Sequence, residues 1–417
     1  MDLIDVETIL DAMDRLGRWV RAAGWRGYDP FDALAGRALR LASLGLAPGR
    51  IAAIQLLKRL PWNVRPWLGV PPHESPFALA LSVRGCLDAW RATGEAAWRA
   101  SAIALVDRLH RAQTPGYAGA CWGYPFAYQN RIFHTPPRTP TAVITSFAGA
   151  AMLDAHAALG RPEDWRAAEG ACEFIMTDLR RTRDGPGRFC FSYTPLRADC
   201  VHNASALAGA LLVRVGRAGR RATLIDAGRR ALAYTVAHQR PDGWWPYGEG
   251  LRRLAWVDNH HTAYVLESLW HAASEEGDAA VRPAIEKGLR FYLSRFFGAD
   301  GTPYFGPAGR GPVDIQCAAA AIDVLALLGV QTPECLDQAR RVAAWTVRHM
   351  QDRDGHFWYR RGRLFVNRTP FVHWGQATML AALARLARVL RHPREATESW
   401  DMTRTTASPG ITAGITA

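Results

Sequence analysis

The chain repeats one pattern of turns and helices at a nearly constant period. Asp-Gly pairs begin at Asp184, Asp242, Asp300 and Asp354, so successive pairs lie 58, 58 and 54 residues apart. Such a pair favours a tight turn, because the Asp side chain caps nearby backbone and Gly permits a positive φ. Two predicted helices fit between consecutive turns. This period is typical of an α-helical repeat array.

The predicted helices fall into two alternating classes. The helix after each loop is rich in small and aliphatic residues, as in TPTAVITSFAGAAML and QCAAAAIDVLALL, whereas the helix before each loop carries Arg and acidic residues on one face. This alternation predicts an inner ring of helices wrapped by an outer ring. Inner helices are expected to start near residues 76, 141, 202, 260, 314 and 373, and outer helices to cover 95–112, 162–181, 221–239, 279–296 and 333–351.

The N-terminal helix supplies the missing outer member. Residues 2–23 place Ile9, Met13, Leu16 and Val20 on a helical period. We therefore predict an all-α fold, an (α/α)6 toroid of six inner and six outer helices. In this prediction residues 1–399 form one domain, with residues 1–75 closing the ring beside helix 373–391 and residues 76–399 forming helical hairpins. Residues 400–417, which are small and polar, are expected to be a disordered tail.

Several segments resemble known toroid families. The run HQRPDGWWPYG is similar to the QW repeats of terpene cyclases. The segments GYDPFDAL, LLKRLPWNVRPWLGV, CWGYPFAYQNRIFHTPPRTPTAVITSFAGAAMLDA, FCFSYTP and VHNASALAGALL resemble bacterial α/α-toroid proteins encoded beside exopolysaccharide or lipopolysaccharide biosynthesis genes. That resemblance covers most of the chain and implies a toroid acting in a glycan context, without implying a mechanism. By analogy of fold, the toroids of terpenoid cyclases and prenyltransferases, uronate epimerases, polysaccharide lyases and six-hairpin glycosidases are also similar.

Composition excludes several partners. The formal net charge is +13, yet only Lys58 and Lys287 are lysines and no RNA-binding motif is present, so no nucleic-acid partner is expected. An acidic ligand is compatible with the charge. No uncharged apolar run reaches the roughly 20 residues of a membrane span, and the N-terminus lacks a signal-peptide pattern. Seven scattered cysteines without a CxxC motif predict a cytoplasmic protein with reduced thiols.

The loops that precede the inner helices are all expected to open at one end of the ring, which we call the rim. Helix N-termini at the rim favour an anionic ligand, and aromatic groups beside polar ones suit a sugar. Alternatively, these aromatic residues only pin the loops, and the acidic residues only cap helices. The expected catalytic residues are His260, His261, Asp258, Glu249, His202 and Asp314. The expected substrate-binding residues are Trp122, Tyr124, Arg138, Tyr193, Asn203, Trp244, Trp245, Tyr247, Asn259, Trp358 and His373.

Two sugar chemistries fit these residue types. A uronate lyase or epimerase must neutralise a carboxylate, for which Asn203, Asn259 or Arg138 is available, and then move the adjacent proton with Tyr or His. A glycosidase needs two carboxylates flanking the bond that is cleaved. The candidates for that pair are Glu249, Asp258 and Asp314.

Isoprenoid chemistry is an alternative of a different class. The chain has neither a DxDD nor a DDxxD motif, which argues against the common cyclase mechanisms. A prenyltransferase-like zinc site would use Asp314, Cys317 and His373, but the Asp-x-x-Cys spacing departs from that family's Asp-x-Cys. Nucleotide-binding fingerprints are also absent. We therefore expect no metal and no cofactor.

The leading hypothesis is a carbohydrate-active toroid that acts on a glycan or sugar precursor in surface-polysaccharide biosynthesis. Within this hypothesis, epimerase or lyase chemistry is favoured over glycosidase chemistry. Contact with polysaccharide assembly enzymes is possible in that setting. The alternatives are a terpenoid-cyclase-like or prenyltransferase-like enzyme and a non-catalytic toroid that binds or scaffolds glycans.

Overall fold

A computed structural model describes residues 3–129, 134–185, 187–273, 281–309 and 311–393. Fourteen α-helices form most of this part of the chain. The predicted tail lies outside these ranges. The helices are α1 (Val6–Ala22), α2 (Arg37–Ala42), α3 (Ala47–Arg59), α4 (Pro76–Thr93), α5 (Ala96–Arg111), α6 (Ala142–Leu159), α7 (Pro162–Thr177), α8 (His202–Ala218), α9 (Ala222–Ala237), α10 (Asn259–Ala272), α11 (Val281–Arg295), α12 (Ile315–Leu328), α13 (Pro333–Met350) and α14 (Ala377–Arg391).

Six of these helices form a closed inner ring. Helix α4 packs on α6, α6 on α8, α8 on α10, α10 on α12, α12 on α14, and α14 returns to α4. Outer helices α5, α7, α9, α11 and α13 each pack on the inner helix that precedes them, and α1 packs on α14. The predicted all-α toroid, closed by the N-terminal helix, is confirmed. Helix α6 is long and apolar enough to cross a membrane by composition alone, but it is an inner helix with mostly buried residues.

Small residues allow the helices to approach closely. A Cβ atom on Gly149 of α6 would lie 2.6 Å from the Leu211 side chain of α8, and one on Gly85 of α4 would lie 3.0 Å from the Ala381 backbone of α14. Because interiors are packed to crystal-like density, side chains at these positions would push the ring apart. The Ala- and Gly-rich composition of the inner helices follows from this need.

The repeated Asp-Gly turns attach each outer helix to the next. Gly243 has φ +99°, and a Cβ there would lie 2.4 Å from the Lys287 carbonyl oxygen of α11. The side-chain amide of Gln239 donates to the carbonyls of Gly243 and Ala284, which fixes the same turn. Gln351 makes the equivalent bonds to the turn before α14 and to α1. The QW-like segment is therefore a structural clamp between neighbouring repeats.

Short antiparallel strands join the rim loops, which the sequence analysis did not predict. Strands β5 and β6 pair the loop before α8 with the loop before α10, and β7 pairs with β8, which pairs with β9. The other pairs are β1 with β2 and β3 with β4. The strands are β1 (Tyr128–Gln129), β2 (His134–Thr135), β3 (Arg181–Gly185), β4 (Arg188–Phe191), β5 (Cys200–Val201), β6 (Gly248–Glu249), β7 (Val313–Asp314), β8 (Arg360–Arg361) and β9 (Val366–Asn367).

Residues 24–75, which we call the N-terminal segment, contact the rim. The segment has its own small core, in which Leu34, Ile54 and Leu57 are buried. A buried ion pair of 2.6 Å between Arg65 Nε and Asp32 Oδ1 fastens its two ends together. The β8–β9 hairpin is tied to it by a hydrogen bond of 2.7 Å from Asn367 to the Leu60 carbonyl.

A buried ionic network lies within the inner ring, away from the helix N-termini. Arg84 of α4 is its centre, with Nη2 3.1 Å from Glu267 of α10 and Nε 3.5 Å from Asp154 of α6. Arg385 of α14 connects Glu267 to Asp323 of α12, and Arg214 of α8 pairs with Asp154. Every inner helix therefore contributes a charged side chain. Because isolated charges are costly to bury, the network specifies which helices are neighbours.

Candidate active site

A recess opens at the rim between the N-termini of α8 and α10. Its enclosed space is small, with room for about one water molecule. Six of the residues expected at the rim line it together: His202, Asn203, Trp245, Tyr247, Asp258 and His261. The side chains Trp256, Val257, Thr262 and Val265 and the ring of Pro246 complete its wall.

Asp258 orients His261 on one wall of the recess. The Asp258 carboxylate caps α10 by accepting the His261 backbone N–H at 2.9 Å, and it lies 2.8 Å from His261 Nδ1. This contact selects the imidazole with a proton on Nδ1, so that Nε2 is left to exchange a proton with a ligand. Burial would raise the pKa of Asp258, but His260 and His261 lower it below its usual value.

Glu249 orients His202 on the opposite wall. His202 Nε2 lies 3.3 Å from Glu249 Oε1, and Arg240 Nη2 donates to the same carboxylate at 3.0 Å. His202 Nδ1 has no hydrogen-bond partner among the described residues. Burial lowers the pKa of His202 despite Glu249. The recess thus holds two histidines of different character, a neutral one on α8 and one backed by a buried carboxylate on α10.

His260 belongs to an adjoining site around Trp374. Its ring centroid lies 5.7 Å from that of Trp374, and its Nδ1 lies 3.4 Å from Asp258 Oδ1. Burial lowers the pKa of His260 to about 4. The Trp374 indole N–H donates to Asp314, and Arg360 Nε lies 2.6 Å from the other oxygen of that carboxylate. Asp314 is thus saturated by its neighbours.

Lys58 of α3 extends into the same site. Its Nζ lies 4.0 Å from the centroid of Phe31 and 6.0 Å from that of Trp374, and it makes no ion pair within the described ranges. Burial, and next the charge of Arg360, lower the pKa of Lys58 to about 7, although Asp314 and Asp29 oppose the shift. An amine of this kind is partly neutral near pH 7. No sequence pattern marked Lys58 as a site residue.

Asp29 and His373 form a buried pair beneath the N-terminal segment. His373 Nδ1 and Asp29 Oδ2 are 3.9 Å apart, and neither atom has a hydrogen-bond partner in the described part of the chain. Burial, followed by the charge of Asp32, raises the pKa of Asp29 to about 7. Burial lowers the pKa of His373 to about 3. His373 Nε2 is hydrogen-bonded to the His73 carbonyl, so His373 is enclosed rather than open to the recess.

One group of donor atoms could hold a metal ion. The donor atoms of Asp258, His260 and His261 all lie within 4.8 Å of one another. Imidazole and carboxylate donors suit zinc and other first-row metals. However, the short contact between His261 and Asp258 is a hydrogen bond that holds the arrangement without an ion. The zinc set considered above, Asp314, Cys317 and His373, does not converge among the described residues.

Several predicted contacts are structural instead. Trp122 is buried and its indole N–H donates to the Leu109 carbonyl at 2.8 Å. Trp245 likewise donates to Thr235 in α9 while bordering the recess, and Trp358 donates to Asp352. Asn259 is saturated by Tyr292 and Tyr304. These side chains fix loops to helices, because a buried N–H or amide needs a partner.

The remaining predicted residues divide between the site and its surroundings. Tyr124 packs with Tyr193 in one aromatic cluster. Trp244 is half-buried and lies under Arg240. Arg138 is exposed and donates to the Gln113 carbonyl, so the predicted contact with an acidic sugar is not supported by its position.

Comparison with known proteins identifies the fold. No family model matches this sequence, and no curated protein matches it. Among solved structures, a cellobiose 2-epimerase from Bacillus thermoamylovorans superposes with a TM-score of 0.59 at 10% identity, covering 76% of this chain and 89% of that one. A GH76 α-mannanase from Bacteroides thetaiotaomicron gives 0.58 at 11% identity, covering 75% and 86%. A glycosyl hydrolase family 88 protein from Bacteroides vulgatus gives 0.57 at 10%, covering 92% and 99%. At these identities the similarity establishes the fold alone, the (α/α)6 toroid.

Proposed function

We propose that this protein is a sugar-active enzyme that moves a proton at a carbon next to a carbonyl group, as epimerases, isomerases and lyases do. The observation that carries the proposal is the pair of histidines, His202 and His261, on the walls of one recess. Each is oriented by its own carboxylate, Glu249 or Asp258. General acid–base catalysis needs positioned groups of this kind.

The two histidines suit opposite roles. His202, neutral and with Nδ1 unpartnered, is the base that takes the proton from the sugar carbon. The electron pair then moves onto the carbonyl oxygen, where the N-terminal ends of α8 and α10 offer a favourable field for negative charge. His261, which Asp258 holds in place, then delivers a proton from Nε2 to the carbon, and the roles exchange in the reverse direction. No atoms are gained or lost in an epimerisation of this type.

The alternatives are supported less well. A glycosidase needs one carboxyl group with a raised pKa as general acid, whereas the pKa values of Glu249, Asp258 and Asp314 are all lowered by their neighbours. The wall of the recess is largely aromatic and aliphatic, as isoprenoid chemistry also requires, but two histidines and a carboxylate on that wall favour proton transfer. Solved structures of similar fold include a cellobiose 2-epimerase, a D-mannose isomerase and a polysaccharide lyase. Those names support a sugar substrate.

In this conformation the recess has room for about one water molecule, so a sugar unit binds there only after the surrounding rim loops move apart. We place this substrate in surface-polysaccharide biosynthesis, as the sequence resemblance implies, and in the cytoplasm, as the scattered cysteines suggest. A mass spectrometric profile of cell-surface glycans and nucleotide sugars, with and without His261→Asn, tests that assignment. An unchanged profile argues against it.

Proton exchange in deuterated water tests the chemistry directly. The purified protein is incubated with a panel of free sugars, uronates and their oligomers in D₂O, and deuterium incorporation is measured by mass spectrometry. His202→Asn and His261→Asn should each lower the rate by at least about 100-fold. His356→Asn is the matched control, because His356 is also paired with an aspartate, Asp354, but outside the recess. Full exchange in both recess variants contradicts the proposal.

A further inference from the structure

The N-terminal segment carries six of the ten exposed large apolar side chains among the described residues. Trp67 is 83% exposed, Leu44 79% and Trp62 70%. Soluble proteins rarely leave so much large apolar surface together without a binding role. Six members lie between residues 41 and 67, and we call them the N-terminal patch: Leu41, Leu44, Leu46, Leu56, Trp62 and Trp67.

The fold does not require these side chains. The small core of the segment is already filled by Leu34, Ile54, Leu57 and Val70, which point inwards. Within α3, Leu57 is buried while its neighbour Leu56 is exposed. The patch is therefore a second apolar face on a segment whose first face is occupied.

The stretch of chain that carries the patch has basic residues and no acidic ones. Between Asp32 and Glu74 the sequence contains no acidic residue. Arg37, Arg40 and Arg59 are exposed there. The β8–β9 turn, which is tied to Leu60 through Asn367, adds the exposed residues Arg363, Leu364 and Phe365.

We propose that the N-terminal patch binds the surface of a membrane that contains anionic lipids. Leucine side chains enter the boundary between headgroups and acyl chains, and tryptophan favours that same interface. Arginine side chains beside them attract anionic headgroups. Neither contribution needs a membrane-spanning helix. Because Lys58 of the same helix reaches inwards to Trp374, binding through the patch places the rim beside the membrane.

Vesicle co-sedimentation of the full-length protein tests the proposal. The protein should pellet with vesicles of phosphatidylglycerol and phosphatidylethanolamine, and at least about tenfold less with vesicles of phosphatidylcholine alone. Raising the salt concentration should weaken binding, because headgroup attraction is screened. Equal binding to both lipid compositions, or none to either, overturns the proposal.

Paired variants identify the surface that binds. The double variant Trp62→Ser/Trp67→Ser and the double variant Arg37→Gln/Arg40→Gln should each reduce the bound fraction at least about tenfold. Leu196→Ser and Leu251→Ser remove exposed leucines outside the patch and should change nothing. Thermal unfolding of each variant, with an unchanged midpoint, shows that the fold is intact. Light scattering gives the oligomeric state of each variant. If the patch variants abolish a dimer and leave vesicle binding unchanged, the patch joins two copies of the chain and the proposal is wrong.

Discussion

Replacing Arg84 by Met should destabilise the ring strongly. The guanidinium is buried and contacts Glu267 and Asp154, so its loss leaves two carboxylates with fewer partners in a low-dielectric setting. Removing one member of a buried ion pair typically costs about 3–5 kcal/mol. At about 2.1 cal/mol/K per residue, the unfolding entropy of a chain of this size is near 0.9 kcal/mol/K, so the midpoint should fall by roughly 3–6 °C.

The assay is urea and thermal unfolding at pH 7, followed by circular dichroism. Arg18→Met is the control, because Arg18 and Asp14 form an exposed pair on α1 that should be worth less than about 1 kcal/mol. In a double-mutant cycle, the loss of unfolding free energy in the double variant Arg84→Met/Glu267→Gln should be smaller than the sum of the two single losses. The difference should be at least about 1 kcal/mol. A change below about 1 kcal/mol for Arg84→Met would refute the idea that the network holds the inner ring together.

Three further predictions concern acid stability, the rim lysine and metal. Burial would raise the pKa of Asp154, but Arg214 and Arg84 outweigh it and lower this pKa to about 2. The contribution of Asp154 to the free energy of unfolding is therefore fully present above about pH 4. The free energy of unfolding should fall by about 2 kcal/mol as the pH falls towards 2. Urea titrations should show a smaller fall for Asp154→Asn, which lacks the titrating carboxylate. Since the pKa of Lys58 is about 7, its modification by an amine reagent, followed by peptide mass spectrometry, should rise with a midpoint near pH 7; a midpoint above about 9 would contradict the burial argument. EDTA should leave both the unfolding midpoint and any proton exchange unchanged, because hydrogen bonds hold the Asp258–His261 arrangement; activity that is lost in EDTA and returns with zinc would show a metal site.

The repeat period was enough to predict the ring, because inner and outer helices differ in composition for a packing reason that is local to each helix. The orientation of loop residues was harder to predict. Trp122 and Trp245 both lie in loops that precede inner helices, yet their indoles donate to carbonyls of the preceding outer helix, an outcome that depends on tertiary contacts. Trp374, central to the adjoining site, lies in a π-helical turn before α14 that no local pattern indicated.

Two features had sequence signals that only the structure explains. Lys58 is one of two lysines in a chain otherwise rich in arginine, but nothing local indicates that residues 24–75 fold against the rim. The ionic network was also visible as a pattern. A charged residue follows the first residue of each inner helix by 8 or 12 positions, at Arg84, Asp154, Arg214, Glu267, Asp323 and Arg385.

The position of α1 has a consequence for how the protein is made. Its buried residues Ile9, Met13 and Leu16 pack in the toroid core, and Glu7 pairs with Arg391 at the end of α14. At synthesis rates of about 5–20 residues per second, the partner of the first helix emerges from the ribosome roughly 20–70 s after it. During that interval Trp98 of α5 can already pack on Gly17 of α1, but the part of the apolar face that α14 covers stays exposed. Ring closure is therefore a late step in biogenesis. A ribosome that stalls before α14 leaves an open ring whose exposed apolar surface is prone to aggregation.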